Sequence, residues 1–339
     1  MEDRARWVDY AKGIGIILVV YGHVMRGLYS AGFEFYGRFY ELSDSIVYSF
    51  HMPLFFFLSG LFFYQTLSNK GPKQLIFSKI DTLFYPYVVW SIFQGSIEAI
   101  LSNYTNGNVT FSDVLSLLWA PRAQFWFLYD LFFCFVFFSV ILNAQTKIRT
   151  IISFLFLITF YYILLNVSND NTLLLVYCIF FLFGVIYNFY FNKGYMESKL
   201  LLLIVSILFF ISQYIYHFYY SLSYLDYSIF SLLLAFVSVF FIVLLSLFLS
   251  KTKVKFLSYL GGASMAIYLM HILAGSGVRV ILGNIFGIES VVIHLILGLV
   301  AGLFFPLIAL WVFRKANLKY IFSAPISGFL TDSNKTKIS

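Results

Sequence analysis

The sequence predicts an all-α integral membrane protein, a bundle of about ten transmembrane helices with both termini in the cytoplasm. Composition is the first indication, since 61% of the 339 residues are hydrophobic, 22% are aromatic and only 11% are charged. The second is that the apolar residues fall into runs long enough to cross a bilayer. The third is the position of the cations. They lie in short breaks between these runs, so the net charge of +7 indicates membrane topology and not nucleic-acid binding.

The apolar runs and the polar breaks between them define the helices in order. Lysine and arginine occur in alternate breaks, while the other breaks carry acidic residues and few cations. Because lysine and arginine stay on the cytoplasmic side, this alternation places both termini inside and requires an even number of helices. The ten predicted helices cover residues 11–29, 45–66, 80–101, 125–143, 150–167, 172–191, 199–219, 227–250, 262–282 and 290–313.

The chain is expected to form one membrane domain over residues 1–320, followed by a polar cytoplasmic tail at 321–339. No linker rich in proline, glycine or serine and no repeat of fixed period interrupts the domain. Cys134 and Cys178 both fall in apolar runs, without disulfide or metal-ligand spacing, and are interpreted as packing residues. No small-residue cleavage site follows the first apolar run, which predicts an uncleaved first helix.

Two ionisable residues share the first predicted helix. Ten residues separate Lys12 from His23, so at about 1.5 Å and about 100° per residue they lie roughly 16 Å apart on one face. Ionisable groups within a membrane helix are costly, and a functional role is their default interpretation. A cation and an imidazole so placed can bind the anionic end of a ligand and act on its far end. The alternatives are a histidine that only links helices, and a lysine that snorkels or pairs with Asp9.

Further polar residues lie in predicted helices 2, 4 and 9. His51 lies at a depth similar to that of His23, and Pro53 behind it frees backbone carbonyls that can shape a cavity wall. Asp130 lies within the fourth helix, where it either serves a functional site or orients a histidine or tyrosine. Each of these groups can also be a structural hydrogen bond between helices. One face of helix 9 carries polar side chains at spacings of four and three, namely Ser264, Tyr268 and His271.

Taken together, these residues resemble the acyltransferase-3 family of integral membrane O-acyltransferases, and within it the fucose 4-O-acetylase-like group. The similarity extends from helix 1 to helix 9, and the motifs are specific as a set. Two features depart from the family pattern. The family commonly has arginine at the position of Lys12, so bidentate phosphate recognition is lost while the charge is kept. Asp130 stands where a small or apolar residue is expected. The similar motifs are Lys12 with His23, His51-Met52-Pro53-Leu54-Phe55-Phe56-Phe57-Leu58-Ser59-Gly60, Lys79 through Pro86-Tyr87, Trp126-Phe127-Leu128, and Ser264-x-x-Ile267-Tyr268-Leu269-x-His271.

The resemblance implies an O-acetyltransferase of the inner (plasma) membrane. It would move an acetyl group from cytoplasmic acetyl-CoA to a hydroxyl of a cell-envelope sugar or polysaccharide, either lipid-linked or exported. His23 is the expected general base and His51 the second catalytic candidate, while Lys12, Lys73 and Lys79 are expected to hold the donor phosphates. No metal is expected, and the oligomeric state stays open. The residues expected to contact the acceptor are Arg26, Trp126, Asp130, Ser264, Tyr268 and His271.

Other interpretations remain open from the sequence. A transporter or flippase for a lipid-linked sugar would use intramembrane histidines and an aspartate for proton coupling or substrate passage. A lipid-modifying acyltransferase would also rely on a buried histidine but would take a fatty-acyl donor. Within the transferase interpretation, transfer is either direct or passes through an acetyl-histidine. A pocket that joins Lys12 to His23 would favour a transferase over a flippase.

Overall fold

The computed structural model describes residues 2–102, 109–142, 147–165, 173–190, 198–252 and 254–328, and no strand occurs among them. This confirms the predicted all-α membrane class. Three π-helical turns, Ile80–Phe84, Ile215–Tyr219 and Ile281–Ile285, join or extend α-helices. The described α-helices are α1 Glu2–Ser30, α2 Phe39–Tyr48, α3 His51–Gly60, α4 Phe63–Lys79, α5 Tyr85–Ile100, α6 Phe111–Leu115, α7 Trp126–Ile141, α8 Lys147–Leu165, α9 Leu173–Tyr190, α10 Lys199–Tyr214, α11 Ile229–Leu249, α12 Lys255–Gly262, α13 Ser264–Val280 and α14 Val291–Lys315.

Within the described residues, seven helical segments are long and apolar enough to cross a membrane. The pair Phe39–Gly60 and Phe63–Ile100 qualifies when taken together, is bent by 63° at the break, and gives up to eight spans. A shorter apolar helix covers Val176–Tyr190. The count of ten spans and the cytoplasmic position of both termini therefore stay predictions. The seven long segments are Arg6–Ser30, Phe111–Ile141, Lys147–Leu165, Lys199–Tyr219, Ile229–Leu249, Ser264–Ile285 and Val291–Lys315.

The prediction of one unbroken helix over residues 45–66 is wrong. α2 ends at Tyr48, and α3 begins at His51 after Phe50, whose φ of −145° and ψ of −15° are not helical. Pro53 lies in the first turn of α3, where the missing proline N–H removes no helical hydrogen bond. The chain therefore restarts a helix here, and this new helix is buried along most of its length.

The predicted loop between helices 2 and 3 is also helical. α4 runs through it with a kink at Gly71, which has φ 73° and precedes Pro72, and then continues through a π-helical turn into α5. Leu67 and Leu75 are buried on its inner side, whereas Lys70 and its charged neighbours are exposed. The charged residues interrupt the apolar run, which predicted the end of a helix, but the helix continues through them. For the same reason α1 begins at Glu2, before its predicted start at residue 11.

The helix that carries Lys12 and His23 is packed on several sides by α11, α12, α13 and α14. Its contact with α12 is made backbone to backbone. A Cβ atom added at Gly13 would collide with the carbonyl oxygen of Leu257, and one added at Gly261 would collide with that of Asp9. Small residues permit this close approach between membrane helices. α1 is therefore held firmly at the end that carries Lys12.

Candidate active site

A cavity of about 570 Å³ lies beside the C-terminal half of α1, and we call it the His23 cavity. His23 and Arg26 of α1 line it, together with His271 and Arg279 of α13 and His294 of α14. Lining residues also come from the C-terminal end of α5 and the first turn of α14, so the cavity belongs to the half of the bundle opposite the N-terminus. Three histidines and two arginines thus meet in one space.

The hydrogen bonding of His23 determines which ring nitrogen is available. Its Nδ1–H donates to the carbonyl of Val19 at 2.9 Å, one turn earlier in α1. Because a carbonyl can only accept, Nδ1 keeps the proton of the neutral ring and Nε2 carries the lone pair. The side chain is half-buried and lines the cavity, and its ring centroid lies 4.9 Å from that of His271. His23 therefore offers an unprotonated nitrogen in the cavity wall.

His271 and His51 adopt the same arrangement. The Nδ1–H of His271 donates to two carbonyls of the preceding turn, at 2.8 and 3.1 Å, and that of His51 donates to the carbonyl of Val47 at 2.8 Å. The Nε2 atoms of both rings are buried and have no hydrogen-bond partner in the described part of the chain. His271 shares the cavity with His23, whereas His51 is fully buried and does not line it.

Tyr48 lies between His51 and the cavity. Its ring centroid is 4.5 Å from that of His51 and 6.3 Å from that of His23. The guanidinium of Arg26 lies over the face of this ring, 3.2 Å from its centroid, and donates two hydrogen bonds to the Asp44 carboxylate at 2.7 and 2.9 Å. A cation–π contact and a bidentate ion pair together fix the position of Arg26.

Trp126 lies in a different pocket from the His23 cavity. This second pocket measures about 90 Å³ and is rich in tyrosine, and Tyr48 contributes to its wall. The ring centroid of Trp126 lies 5.0 Å from that of Tyr177. Tyr48 therefore borders both the histidines and the Trp126 pocket.

The remaining acceptor candidates line neither space. Tyr268 donates its hydroxyl to the carbonyl of Gln124, and its ring centroid lies 6.2 Å from that of His271. Asp130 is a half-buried residue of α7. Ser264 begins α13, seven residues and thus about 10 Å before His271 along the helix.

The candidate donor cations lie on α1 and α4. Lys12 is in the N-terminal half of α1, and Lys79 is the last residue of α4, where its ammonium lies 4.0 Å from the ring centroid of Phe135. Lys73 is exposed on α4. None of these lysines lines the cavity that contains His23. The His23 cavity therefore does not by itself join the two ends of α1.

A second basic surface at the same end was missed from the sequence. Arg6, Lys255 and Arg314 line a groove of about 560 Å³. Tyr10 also lines this groove, and its buried hydroxyl has no hydrogen-bond partner among the described residues. Three cations from three different helices meet here, so their sequence positions gave no indication of the cluster.

Four further residues at or next to the His23 cavity were not predicted as site residues from the sequence. Asp44 is an acidic residue of a predicted loop, but it lies on α2 and neutralises a cavity arginine. Tyr48 gave no sequence signal among so many aromatic residues. Arg279 did give one, because it is a cation within the predicted helix 262–282. His294 was visible as a polar residue in the tenth predicted helix, without an assigned role.

Comparison with known proteins identifies the family. Residues 5–314 match the acyltransferase-3 family model, which describes an acyltransferase domain. The chain therefore belongs to the acyltransferase-3 family, which confirms the resemblance carried by its motifs. A stretch of 134 residues is 28% identical to nodulation protein NolL of Mesorhizobium japonicum, and it covers 39% of this chain and 35% of that protein. No solved structure matches the chain significantly.

Proposed function

We propose that this multi-pass membrane protein is an O-acetyltransferase of the inner (plasma) membrane. It transfers an acetyl group from cytoplasmic acetyl-CoA to a hydroxyl of a cell-envelope sugar. Family membership supports acyl transfer as the reaction class. The observation that carries the catalytic part of the proposal is the unprotonated Nε2 of His23 in the wall of a cavity large enough for a sugar.

The proposed reaction uses His23 as a general base. Nε2 takes the proton of the acceptor hydroxyl as the hydroxyl oxygen attacks the thioester carbonyl carbon. The new carbon–oxygen bond forms, the carbon–sulfur bond breaks, and the departing CoA sulfur receives the proton from Nε2. A positioned base of this kind contributes about 10² to 10⁴ in rate. Its alternative is acetylation of the histidine itself, which predicts ping-pong kinetics.

The donor end of the proposal rests on charge. Lys12 and Lys79 hold the CoA phosphates together with Lys73 in this proposal. The acyl group then has to travel about 16 Å along α1 to the level of His23. Buried apolar side chains, including Val19 and Ile16, occupy that face of the bundle. Donor binding is therefore expected to displace side-chain packing along α1.

The acceptor end of the proposal uses the His23 cavity. His271 lies beside the base, and Arg26 is fixed at the cavity wall by its ion pair with Asp44. Arg26 and His271 contact the acceptor in this proposal. Trp126, Asp130, Ser264 and Tyr268 remain further proposed acceptor contacts, of which Trp126 lines the neighbouring pocket.

The test is a transfer assay with purified protein in liposomes. Acetyl-CoA is supplied with and without a sugar acceptor, CoA release is followed, and acetylated product is measured by mass spectrometry. The proposal predicts CoA release that depends on the acceptor, with stoichiometric product. Translocation of a lipid-linked sugar without CoA release would identify a flippase instead. Turnover of long-chain acyl-CoA in preference to acetyl-CoA would identify a lipid-modifying acyltransferase.

A further inference from the structure

The wall of the His23 cavity carries one charge that no described side chain balances. Arg26, Glu98 and Arg279 line the cavity. Arg26 is paired with Asp44 at 2.7 Å, and Glu98 is paired with Arg122 at 2.6 Å. No carboxylate of the described residues lies within 4.0 Å of the Arg279 guanidinium. The cavity wall therefore has a net positive charge at Arg279.

Arg279 is held in place, but most of its hydrogen-bonding capacity is unused. Its Nη1–H donates to the carbonyl of Gly27, which ties α13 to α1. A guanidinium has five N–H donors, and no further acceptor for them is found within the described ranges. A half-buried cation at membrane depth is costly unless it has a functional role. The guanidinium is thus preorganised in the cavity wall to bind an anionic ligand.

His294 provides a second unused polar atom in the same cavity. Its Nε2–H donates to the carbonyl of Ile288 at 2.7 Å, so Nδ1 carries the lone pair. Nδ1 is buried and has no partner in the described part of the chain. A cation and a hydrogen-bond acceptor that line one cavity match a ligand that carries both an anionic group and hydroxyls. A neutral sugar would leave Arg279 without a counter-ion.

We infer that Arg279 binds a phosphate or carboxylate group of the acceptor. This inference rests on the proposed function, in which the cavity holds the acceptor. Arg279 follows His271 by eight residues, which is about 12 Å along α13. The anionic group and the acetylated hydroxyl therefore lie on different parts of the acceptor. A phosphate would come from a lipid-linked sugar, and a carboxylate from an acidic sugar.

Binding is measured with purified protein as the rise in melting temperature caused by sugar probes, because a ligand of the native state stabilises it. The probes are glucose 1-phosphate, glucuronate and, as the neutral control, glucose. Arg38→Gln is the control variant, since Arg38 is an exposed arginine at the same end of α1. Wild-type protein and Arg38→Gln are expected to respond to at least one charged probe and not to glucose. The probe that binds distinguishes the phosphate from the carboxylate source.

Arg279→Gln is expected to bind the charged probe at least tenfold more weakly, which corresponds to about 1.4 kcal/mol. Arg279→Lys keeps the positive charge but lacks the planar guanidinium, and it is expected to retain part of the binding. The same variant tests the inference if Arg279→Gln does not fold. The KM for acetyl-CoA is expected to stay unchanged in both variants.

Three results would overturn the inference. The first is that the charged probe stabilises wild-type protein and the Arg279 variants equally, and the second is that no charged probe stabilises the wild-type protein. The third is that the Arg279 variants have a raised KM for acetyl-CoA. The third result would assign the anion to the donor. The proposed function fails in a different way. Charged probes that bind through Arg279 to a protein without acetyl transfer would contradict the transferase and leave the anion site standing.

Discussion

Replacement of Asp44 by asparagine removes the charge that neutralises Arg26. The Arg26 guanidinium donates two hydrogen bonds to this carboxylate, at 2.7 and 2.9 Å, and a hydrogen bond to a charged group contributes about 1.5–3 kcal/mol. Asparagine keeps one acceptor oxygen, so about one such bond is lost. Because the Arg26 side chain is 32% exposed, solvent reduces the expected loss of unfolding free energy to about 1–2 kcal/mol.

The same substitution is expected to slow transfer. Arg26 lies over the Tyr48 ring, and that ring packs beside the His23 ring, so a released arginine disturbs the wall around the base. A misplacement of about 1 Å can cost about 10²-fold in rate, and we expect kcat to fall roughly tenfold to hundredfold. Thermal unfolding in detergent and initial rates of CoA release measure the two effects.

The control for this prediction is Asp113→Asn. Asp113 is also a carboxylate with two hydrogen bonds, to the backbone N–H and hydroxyl of Thr110, but it is exposed and lies outside the cavity. Its replacement removes part of the capping box at the start of α6 and is expected to leave kcat unchanged. If Asp44→Asn has the wild-type unfolding temperature and the wild-type kcat, the ion pair does not hold the cavity wall in place.

Further predictions concern the donor end, the Trp126 pocket and the topology. Lys12→Ala is expected to raise the KM for acetyl-CoA at least tenfold, and Lys12→Arg is expected to retain part of the affinity. If the KM for acetyl-CoA is unchanged in Lys12→Ala, Lys12 does not bind the donor and is a lysine that snorkels to the membrane interface. An equally large effect of Arg314→Ala would move the donor phosphates to the second basic groove. Trp126→Ala is expected to raise the KM for the acceptor with the donor KM unchanged, measured by initial rates. Reporter fusions at Lys73 and Glu41 are expected to report opposite sides of the membrane, and the same side for both would disprove the proposed topology.

The all-α membrane class could be predicted because an apolar run of this length has few stable structures in a membrane other than a helix. The helix boundaries at charged segments could not be predicted in this way. α4 continues through Lys70 and Lys73 because an amphipathic helix tolerates charges on its exposed side, and hydropathy alone does not distinguish this from a loop. The break after Tyr48 was not predicted, because Pro53 was interpreted as shaping a cavity wall within one helix, and only the structure shows that α3 begins anew at His51.

The sequence placed His23 and His271 correctly as polar residues of membrane helices, but it could not show that their rings lie 4.9 Å apart. Such a contact depends on the packing of α1 against α13, which sequence spacing does not determine. Periodicity gives the residues that share a face of one helix and says nothing about the facing helix. The partner of Arg26 was missed for the same reason, because Asp44 lies on another helix.

Acetyl transfer by folded His23→Gln protein decides whether His23 is the general base. His217→Asn is the matched control, because His217 is a buried histidine of the described part that does not line the His23 cavity. We expect kcat of His23→Gln to fall by about 10² to 10⁴, with acetyl-CoA binding and the unfolding temperature unchanged, and we expect His217→Asn to keep the wild-type kcat. Near wild-type transfer by His23→Gln would remove His23 from the mechanism.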